Sequence, residues 1–120
     1  MPTKSSSVAL RPRIRVVCGG TVALGPGKVD LLAQVEKTGS IRAAAGRMGM
    51  SYMRAWTLIK TMNVCFKEPL VETIRGGPRH GGATLTSTGR RALKLYQGME
   101  SDCLEATRRR WKQLRTVLRG

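Results

Sequence analysis

One stretch of the chain, residues 38–66, restricts the fold more than any other. It predicts two short helices with a tight corner at residues 48–50 between them. Ser40 and Ser51 stand where these helices begin, and a serine hydroxyl there can accept a hydrogen bond from a backbone amide of the first turn. The small residues of the first helix allow the two helix axes to approach closely. Two capped helices joined by such a corner are typical of a helix-turn-helix.

The second of these helices has two different faces. At about 100° per residue, the face predicted to be buried consists of Tyr52, Ala55, Trp56, Ile59, Met62, Asn63 and Phe66. The opposite face consists of Met53, Arg54, Thr57 and Thr61. A helix with such an exposed face can enter the major groove of DNA, so we predict that it is a recognition helix.

Two residues of the exposed face are candidates for base contacts. Arg54 is the first, because a guanidinium can contact O6 and N7 of guanine together; the alternative is a phosphate contact that supplies affinity alone. Thr57 can contact a thymine methyl group. On the other face, Tyr52 is predicted to place its ring in the core with its hydroxyl near a phosphate, and Trp56 is predicted to be a core residue.

The segment before the helix-turn-helix predicts a leader, a strand and a helix. Residues 1–10 are small, polar and rich in serine, so we expect a disordered leader. In residues 11–18, Arg13 and Arg15 alternate with apolar side chains, which predicts a short edge strand with one basic face, ended by Gly19 and Gly20. A helix is then predicted from Pro26 to a cap at Gly39.

A glycine-rich segment follows the recognition helix. Pro69 starts an extended run to residue 75, residues 76–82 predict a hairpin tip, and residues 83–85 can return as a second strand. Two strands with a basic tip after a recognition helix predict a wing. A nucleotide site is not expected, because no Gly-Lys-Ser/Thr sequence follows the glycines and the loop leads into a strand.

The last part of the chain predicts one long helix. Thr86 is a natural N-cap, and the helix should run from Ser87 to about residue 118. In a monomer, its apolar stripe would be exposed to solvent, so we expect a homodimer packed along this stripe. The alternative is a helix that folds back on its own domain. The residues expected at the dimer contact are Leu93, Tyr96, Met99, Cys103, Trp111 and Leu114.

These elements predict a fold class that is mainly α with a small β wing. We divide the chain into the leader (1–10), a winged helix-turn-helix domain (11–86) and a dimerisation helix (87–120).

The charge of the chain favours a polyanionic partner. The formal net charge is +15 and the isoelectric point is near 11.3, and such a field attracts nucleic acid, although acidic membranes attract basic chains too. Between residues 40 and 82, seven cationic side chains stand against two carboxylates, and we expect the cations to bind phosphates. A second basic cluster at residues 108–115 is more typical of a solvated helix face.

Cysteine and histidine usage favours neither a metal site nor an enzyme. The three cysteines, Cys18, Cys65 and Cys103, are widely spaced along the sequence and His80 is the only histidine, so no zinc site, cofactor or disulfide framework is expected. His80 also lacks a nearby cysteine or carboxylate with which to form a catalytic dyad. The chain has no run of 18 apolar residues and no apolar signal segment at its start, so we expect a cytoplasmic protein without a membrane partner.

Two runs of sequence resemble a known family. LLAQVEKTGSIRAAAGRMGMSYMRAWTLIKTMN and EPLVETIRGGPRHGGATLTSTGRRALKLY are similar to the winged DNA-binding half of ModE-type molybdate-responsive regulators, which is related to LysR-type DNA-binding domains. The resemblance implies a dimer on operator DNA, with the recognition helix in the major groove, the wing on the flanking backbone or minor groove, and the long helix joining the protomers. It assigns recognition to Ser51, Tyr52, Arg54, Ala55 and Thr57. The backbone and wing contacts expected beside them are Ser40, Arg42, Lys60, Arg75, Arg79 and His80.

Full-length members of that family continue into oxyanion-binding domains that hold molybdate or tungstate, whereas this chain ends at Gly120, after the long helix. We therefore expect no molybdate site here, and expect that any effector is sensed by a separate protein. The sequence as a whole predicts a homodimeric transcriptional regulator that binds a pseudo-palindromic site in double-stranded DNA, with a link to molybdenum metabolism. Two alternatives stay open: a basic RNA-binding or ribosome-associated protein, and a chromatin protein without sequence preference.

Overall fold

The fold is built from four helices and two small antiparallel sheets, in a computed structural model that describes residues 8–74 and 82–119. In chain order the elements are β1 (Val16–Cys18), β2 (Thr21–Leu24), α1 (Pro26–Thr38), α2 (Ile41–Arg47), α3 (Tyr52–Cys65), β3 (Val71–Ile74), β4 (Gly82–Leu85) and α4 (Ser87–Arg115). β1 pairs with β2, and β3 pairs with β4 to form the wing. The predicted fold class, mainly α with a small β wing, is confirmed.

The three predicted N-caps are confirmed by side-chain hydrogen bonds. The Ser40 hydroxyl accepts from the backbone amide of Ala43 at 3.0 Å, and the Ser51 hydroxyl accepts from that of Arg54 at 3.1 Å. The Thr86 hydroxyl accepts from the amide of Gly89 at 2.9 Å. Because each of these bonds satisfies an amide that the helix itself leaves free, the three serine and threonine positions define where α2, α3 and α4 begin.

The predicted N-terminal strand is present at Val16–Cys18, directly before the two glycines. The chain then turns at Gly19 and Gly20 into β2, a strand that the sequence analysis does not predict. Both glycines have positive φ angles, 53° and 87°, as a two-residue hairpin turn requires. The two glycines therefore form the turn of a hairpin in addition to ending the strand.

The core is centred on α1. Leu31, Leu32 and Val35 are completely buried and pack against apolar side chains of α2, α3 and the wing. The wing is joined to the end of α1 by a hydrogen bond of 2.9 Å from the Ala83 amide to the Gly39 carbonyl. Gly39 has a φ of 71°, which confirms the predicted glycine cap of α1.

Only the first part of α4 contributes to this core. Leu93 and Tyr96 are buried, and the Tyr96 hydroxyl donates a hydrogen bond of 2.6 Å to the Ile14 carbonyl. Burial, followed by the nearby carboxylates of Glu100 and Asp30, raises the pKa of Tyr96, which keeps this donor protonated. The prediction that Leu93 and Tyr96 contact a second protomer is therefore corrected, because both side chains are already packed inside their own domain.

Beyond Tyr96 the helix is mostly exposed and ends at Arg115, earlier than predicted. Its 29 residues correspond to a length of about 44 Å. Residues 8–10 line a cleft with Leu104 and Trp111, so this part of the predicted leader lies against α4. Residues 1–7 lie outside the described residues. Within the described ranges, no helix has the length and apolar character needed to cross a membrane.

Two glycines of α4 provide a test of how closely this helix packs. A Cβ atom added at Gly89 would lie 2.0 Å from the Leu70 carbonyl oxygen, whereas one added at Gly98 would meet no atom within 4 Å. We expect Gly89→Ala to lower the free energy of unfolding by about 3 kcal/mol or more, because backbone must move. Gly98→Ala should raise it by about 0.5–1 kcal/mol through helix propensity. Urea denaturation at equal protein concentration measures both, and equal stability of the two variants would contradict the packing.

Candidate nucleic-acid interface

The surface of α3 that faces solvent is broad, and it includes the predicted base-contact residue Arg54. Met53, Thr57 and Lys60 are exposed and lie on one side of the helix at spacings of four and three residues. We call these three side chains the outer ridge. Met53 and Thr57 lie on the predicted face, whereas Thr61 is half-buried and its hydroxyl donates to the Thr57 carbonyl at 2.9 Å. Lys60, rather than the predicted Thr61, is the exposed residue in this turn of the helix.

Ala55 does not belong to the exposed surface. Its side chain is completely buried together with Ile59 and Met62, which lie on the same side of α3. The recognition role that the resemblance assigned to Ala55 is therefore corrected. Its methyl group is part of the hydrophobic core that the helices share with the wing.

Tyr52 lies at the flank of the outer ridge that faces α2. Its side chain is 37% exposed, so the prediction of a ring in the core was wrong. The guanidinium of Arg42 lies over the ring, 4.6 Å from its centroid. This stacking places a cation of α2 beside the first turn of α3, where a phosphate could be bound. Trp56, predicted to be a core residue, is half-buried and packs against the core from its edge.

Asn63 joins the recognition helix to the wing on this same flank. Its side-chain oxygen accepts from the backbone amides of Leu70 and Val71 at 2.8 and 3.3 Å. Its side-chain nitrogen donates to the Val71 carbonyl at 3.2 Å. The sequence placed Asn63 on the inner face of α3 but did not indicate this role, which depends on a strand eight residues away.

The opposite flank of α3 borders a cleft that the sequence did not predict. The cleft has a volume of about 390 Å³, and four cationic side chains line it: Arg13, Arg15, Lys28 and Arg54. We call it the hairpin cleft, because the β1–β2 hairpin and the segment before it form one wall. The alternation of arginines with apolar residues in the N-terminal segment was the available signal, but that pattern did not identify α3 as the neighbouring element.

The other predicted contact residues differ in how far the structure describes them. The hydroxyls of Ser40 and Ser51 are used in the caps of α2 and α3, so their positions at the helix starts are fixed. Lys60 is exposed on α3. Arg75, Arg79 and His80 lie outside the described residues.

Charge pairing leaves most cations of the described ranges without a carboxylate. The ion pair found there joins Arg108 to Glu105 at 2.6 Å, on the exposed part of α4. In those same ranges, no group of three or more histidine, cysteine, aspartate or glutamate residues could hold a metal ion. The Cys18 thiol, followed by burial, raises the pKa of the Cys65 thiol, which disfavours the reactive thiolate at neutral pH.

Comparison with known proteins identifies the family of the chain. A model described as bacterial regulatory helix-turn-helix protein, lysR family, matches residues 27–90, more than half of the chain. The chain belongs to this LysR-type helix-turn-helix family. The matched residues include α1, the helix-turn-helix, the wing and the start of α4.

The resemblance to ModE-type proteins is also confirmed. The chain is 39% identical over 98 residues to the "Molybdenum transport protein ModE" of Azotobacter vinelandii, a match that covers 82% of this chain and 36% of that protein. It is 41% identical over 71 residues to the "DNA-binding transcriptional dual regulator ModE" of Escherichia coli K12, which covers 59% of this chain and 27% of that protein. The chain thus spans about a third of the length of these relatives.

A solved structure has the same fold. The crystal structure of a CbnR_DBD–DNA complex matches with a TM-score of 0.52 at 22% sequence identity, over 78% of this chain and 97% of that chain. At this identity the match supports the LysR-type fold and carries no information on individual contacts.

The Asn63 side chain provides a test of how the wing is fixed to the recognition helix. Asn63→Ala should lower the free energy of unfolding by about 1–3 kcal/mol, because two backbone amides and one carbonyl lose their partner. Val64→Ala is the matched control: it truncates a neighbouring side chain that is 80% exposed, and should change stability by less than about 0.5 kcal/mol. Amide hydrogen exchange should accelerate at Leu70 and Val71 in the Asn63 variant alone. Unchanged exchange at these amides would show that the wing is held without Asn63.

Proposed function

We propose that this chain is a non-enzymatic, cytoplasmic transcriptional regulator that binds specific sites in double-stranded DNA. The observation that carries the proposal is the outer ridge of α3, an exposed and capped helix edge flanked by cations, in a member of the LysR-type helix-turn-helix family. Such an edge fits the major groove, which admits an α-helix and presents a distinct pattern for each base pair.

In this proposal, some residues of α3 contact the DNA bases and others contact the DNA phosphate backbone. Thr57 lies on the outer ridge and Arg54 on its edge, so these two side chains read bases. Tyr52 and Lys60 contact phosphates on either side. Ser51 supports them through the helix start that it caps.

Backbone contacts outside α3 complete the interface. Arg42, which lies over the Tyr52 ring, contacts the DNA strand on the side of the wing. The start of α2 at Ser40 faces the same DNA strand. The wing residues Arg75, Arg79 and His80 are assigned to the flanking backbone or minor groove by their resemblance to the family.

We also propose that the protein acts as a homodimer joined by α4. Leu95, Met99, Leu104 and Leu114 are between 41% and 56% exposed, which leaves much apolar surface on a helix that extends beyond its own domain. With Leu93 and Tyr96 in the core, the proposed contact consists of Met99, Cys103, Trp111 and Leu114. A two-fold dimer places two copies of α3 on half-sites related by the same symmetry, so the operator is pseudo-palindromic.

Because its relatives are named as ModE proteins of molybdenum transport and transcription regulation, we propose that the regulated genes belong to molybdenum metabolism. Any response to molybdate is assigned to residues other than those described here.

Base reading by Arg54 is tested with a charge-conserving variant. Arg54→Lys keeps the cation but loses the planar fork, so discrimination at one base pair of the operator should fall by about 1–3 kcal/mol while affinity for unrelated duplexes changes little. The measurement is selection of binding sites from a random duplex pool at about 150 mM salt, followed by titration of single-base variants, with structured RNA as competitor. If the wild-type chain enriches no site, or binds the RNA as well as its selected duplex, the regulator proposal fails.

The dimer proposal is tested by charge substitutions on opposite faces of α4. Met99→Glu with Cys103→Glu should produce a monomer in sedimentation equilibrium, because two carboxylates would be buried at the contact. The control is Lys94→Gln with Lys112→Gln, which makes the same change in net charge on the far side of the helix and should leave the dimer intact. A wild-type chain that is monomeric at micromolar concentration would contradict the proposal.

A further inference from the structure

The hairpin cleft brings together cations from three separate parts of the chain. Arg13 and Arg15 come from the segment before β1, Lys28 from the first turn of α1 and Arg54 from the first turn of α3. Among the residues that the structure describes, no carboxylate lines this cleft. Positive side chains collected on one concave surface repel one another and create a field that an anion would neutralise.

The cations of the cleft are not neutralised within the described ranges. None of the four makes an ion pair there, since the pair found joins Arg108 to Glu105 on α4. Lys28 donates to the Val22 carbonyl of β2, which holds its ammonium group at the cleft wall. The carboxylates of Asp30 and Glu100 line the adjoining cleft, beside Arg11 and the other side of Arg13. The hairpin cleft therefore keeps a net positive lining.

The backbone adds to this positive surface. α1 begins at the cleft with Gly25 as its N-cap, and this residue has no side chain that could accept a hydrogen bond from the first-turn amides. The amino-terminal end of a helix carries a partial positive charge, so it favours an anion in the same place as the four side chains do.

The position of the hairpin cleft relative to the outer ridge indicates which anion the cleft binds. At about 100° per residue, Arg54 and Leu58 lie on one flank of α3, whereas Tyr52 and Asn63 lie on the other, towards α2 and the wing. The outer ridge thus has the wing on one side and the hairpin cleft on the other. A helix seated in the major groove has a phosphate backbone along each side, and the wing side accounts for only one of them.

We propose that the hairpin cleft binds the DNA phosphate backbone on the side of the recognition helix opposite the wing. Arg13, Arg15 and Lys28 contact phosphates there and fix the orientation of α3 in the groove, while Arg54 lies at the border between this contact and the bases. The inference rests on the proposed DNA binding, and it adds to that function a second backbone contact formed by the N-terminal hairpin.

The test measures the salt dependence of affinity for the selected duplex by fluorescence anisotropy, between about 50 and about 300 mM salt. The variant is Arg13→Gln, Arg15→Gln and Lys28→Gln combined. Each lost phosphate contact should reduce the slope of log affinity against log salt by about 0.9, so a reduction of about 2–3 per bound protomer, or about 5 for a bound dimer, is expected. The base preference of the selected site should stay unchanged, because phosphate contacts carry no sequence information.

Two further variants separate a specific contact from a general loss of charge. Arg109→Gln, Lys112→Gln and Arg115→Gln remove the same charge from the exposed end of α4, and should change the slope by less than about 1. Arg13→Lys with Arg15→Lys keeps the charge and should retain the wild-type slope. Thermal unfolding checks the fold of each protein; if the combined variant unfolds, Arg13→Gln alone should still reduce the slope by about 0.9 per bound protomer.

The outcomes distinguish this inference from the proposed function. A wild-type chain that selects no duplex refutes DNA recognition itself. A chain that selects a duplex, but whose hairpin variant matches the α4 variant in slope, retains the function and overturns the hairpin contact. Calorimetric titration of the wild-type chain with inorganic phosphate alone should show no saturable binding; saturable binding that disappears in the hairpin variant would identify a small-anion site and overturn the assignment to DNA.

Discussion

The backbone of Leu70 is the junction on which the arrangement of the interface depends. Its amide donates to the Asn63 side chain of the recognition helix at 2.8 Å, and its carbonyl accepts from the Thr86 amide at the start of α4 at 2.9 Å. The side chain is completely buried, and Gly89 approaches so closely that no Cβ would fit. The recognition helix, the base of the wing and the long helix are thereby fixed to one another at a single point, and a change there would alter all three.

The long helix also supports the flank of the recognition helix that lies opposite the wing. Tyr96, two turns after Gly89, donates to the Ile14 carbonyl and so anchors the segment that carries Arg13 and Arg15. The first part of α4 therefore supports both sides of the outer ridge, the wing through Leu70 and the hairpin cleft through Ile14. The remainder of the helix extends beyond the domain with exposed apolar side chains, which is the surface we assign to the second protomer.

Local signals in the sequence were sufficient for the helix-turn-helix, its caps, the wing and the long helix, because a capping hydroxyl or a glycine turn acts within a few residues. Features that depend on distant partners were missed. An apolar stripe on α4 shows that Leu93 and Tyr96 are covered, but not whether their own domain or a second copy covers them. Ala55 was assigned by motif position although its place on the helical wheel is internal, and the basic face of the N-terminal segment gave no sign that α3 is its neighbour.

The central claim is that DNA lies across α3, between the wing and the hairpin. Backbone amide shifts of the isotope-labelled chain, recorded by NMR as its selected duplex is added, test this most directly. The account predicts the largest changes at Met53, Thr57 and Lys60, with a second group at Arg13, Arg15 and Lys28. Changes confined to the exposed end of α4 beyond Arg108, with α3 unaffected, would contradict it.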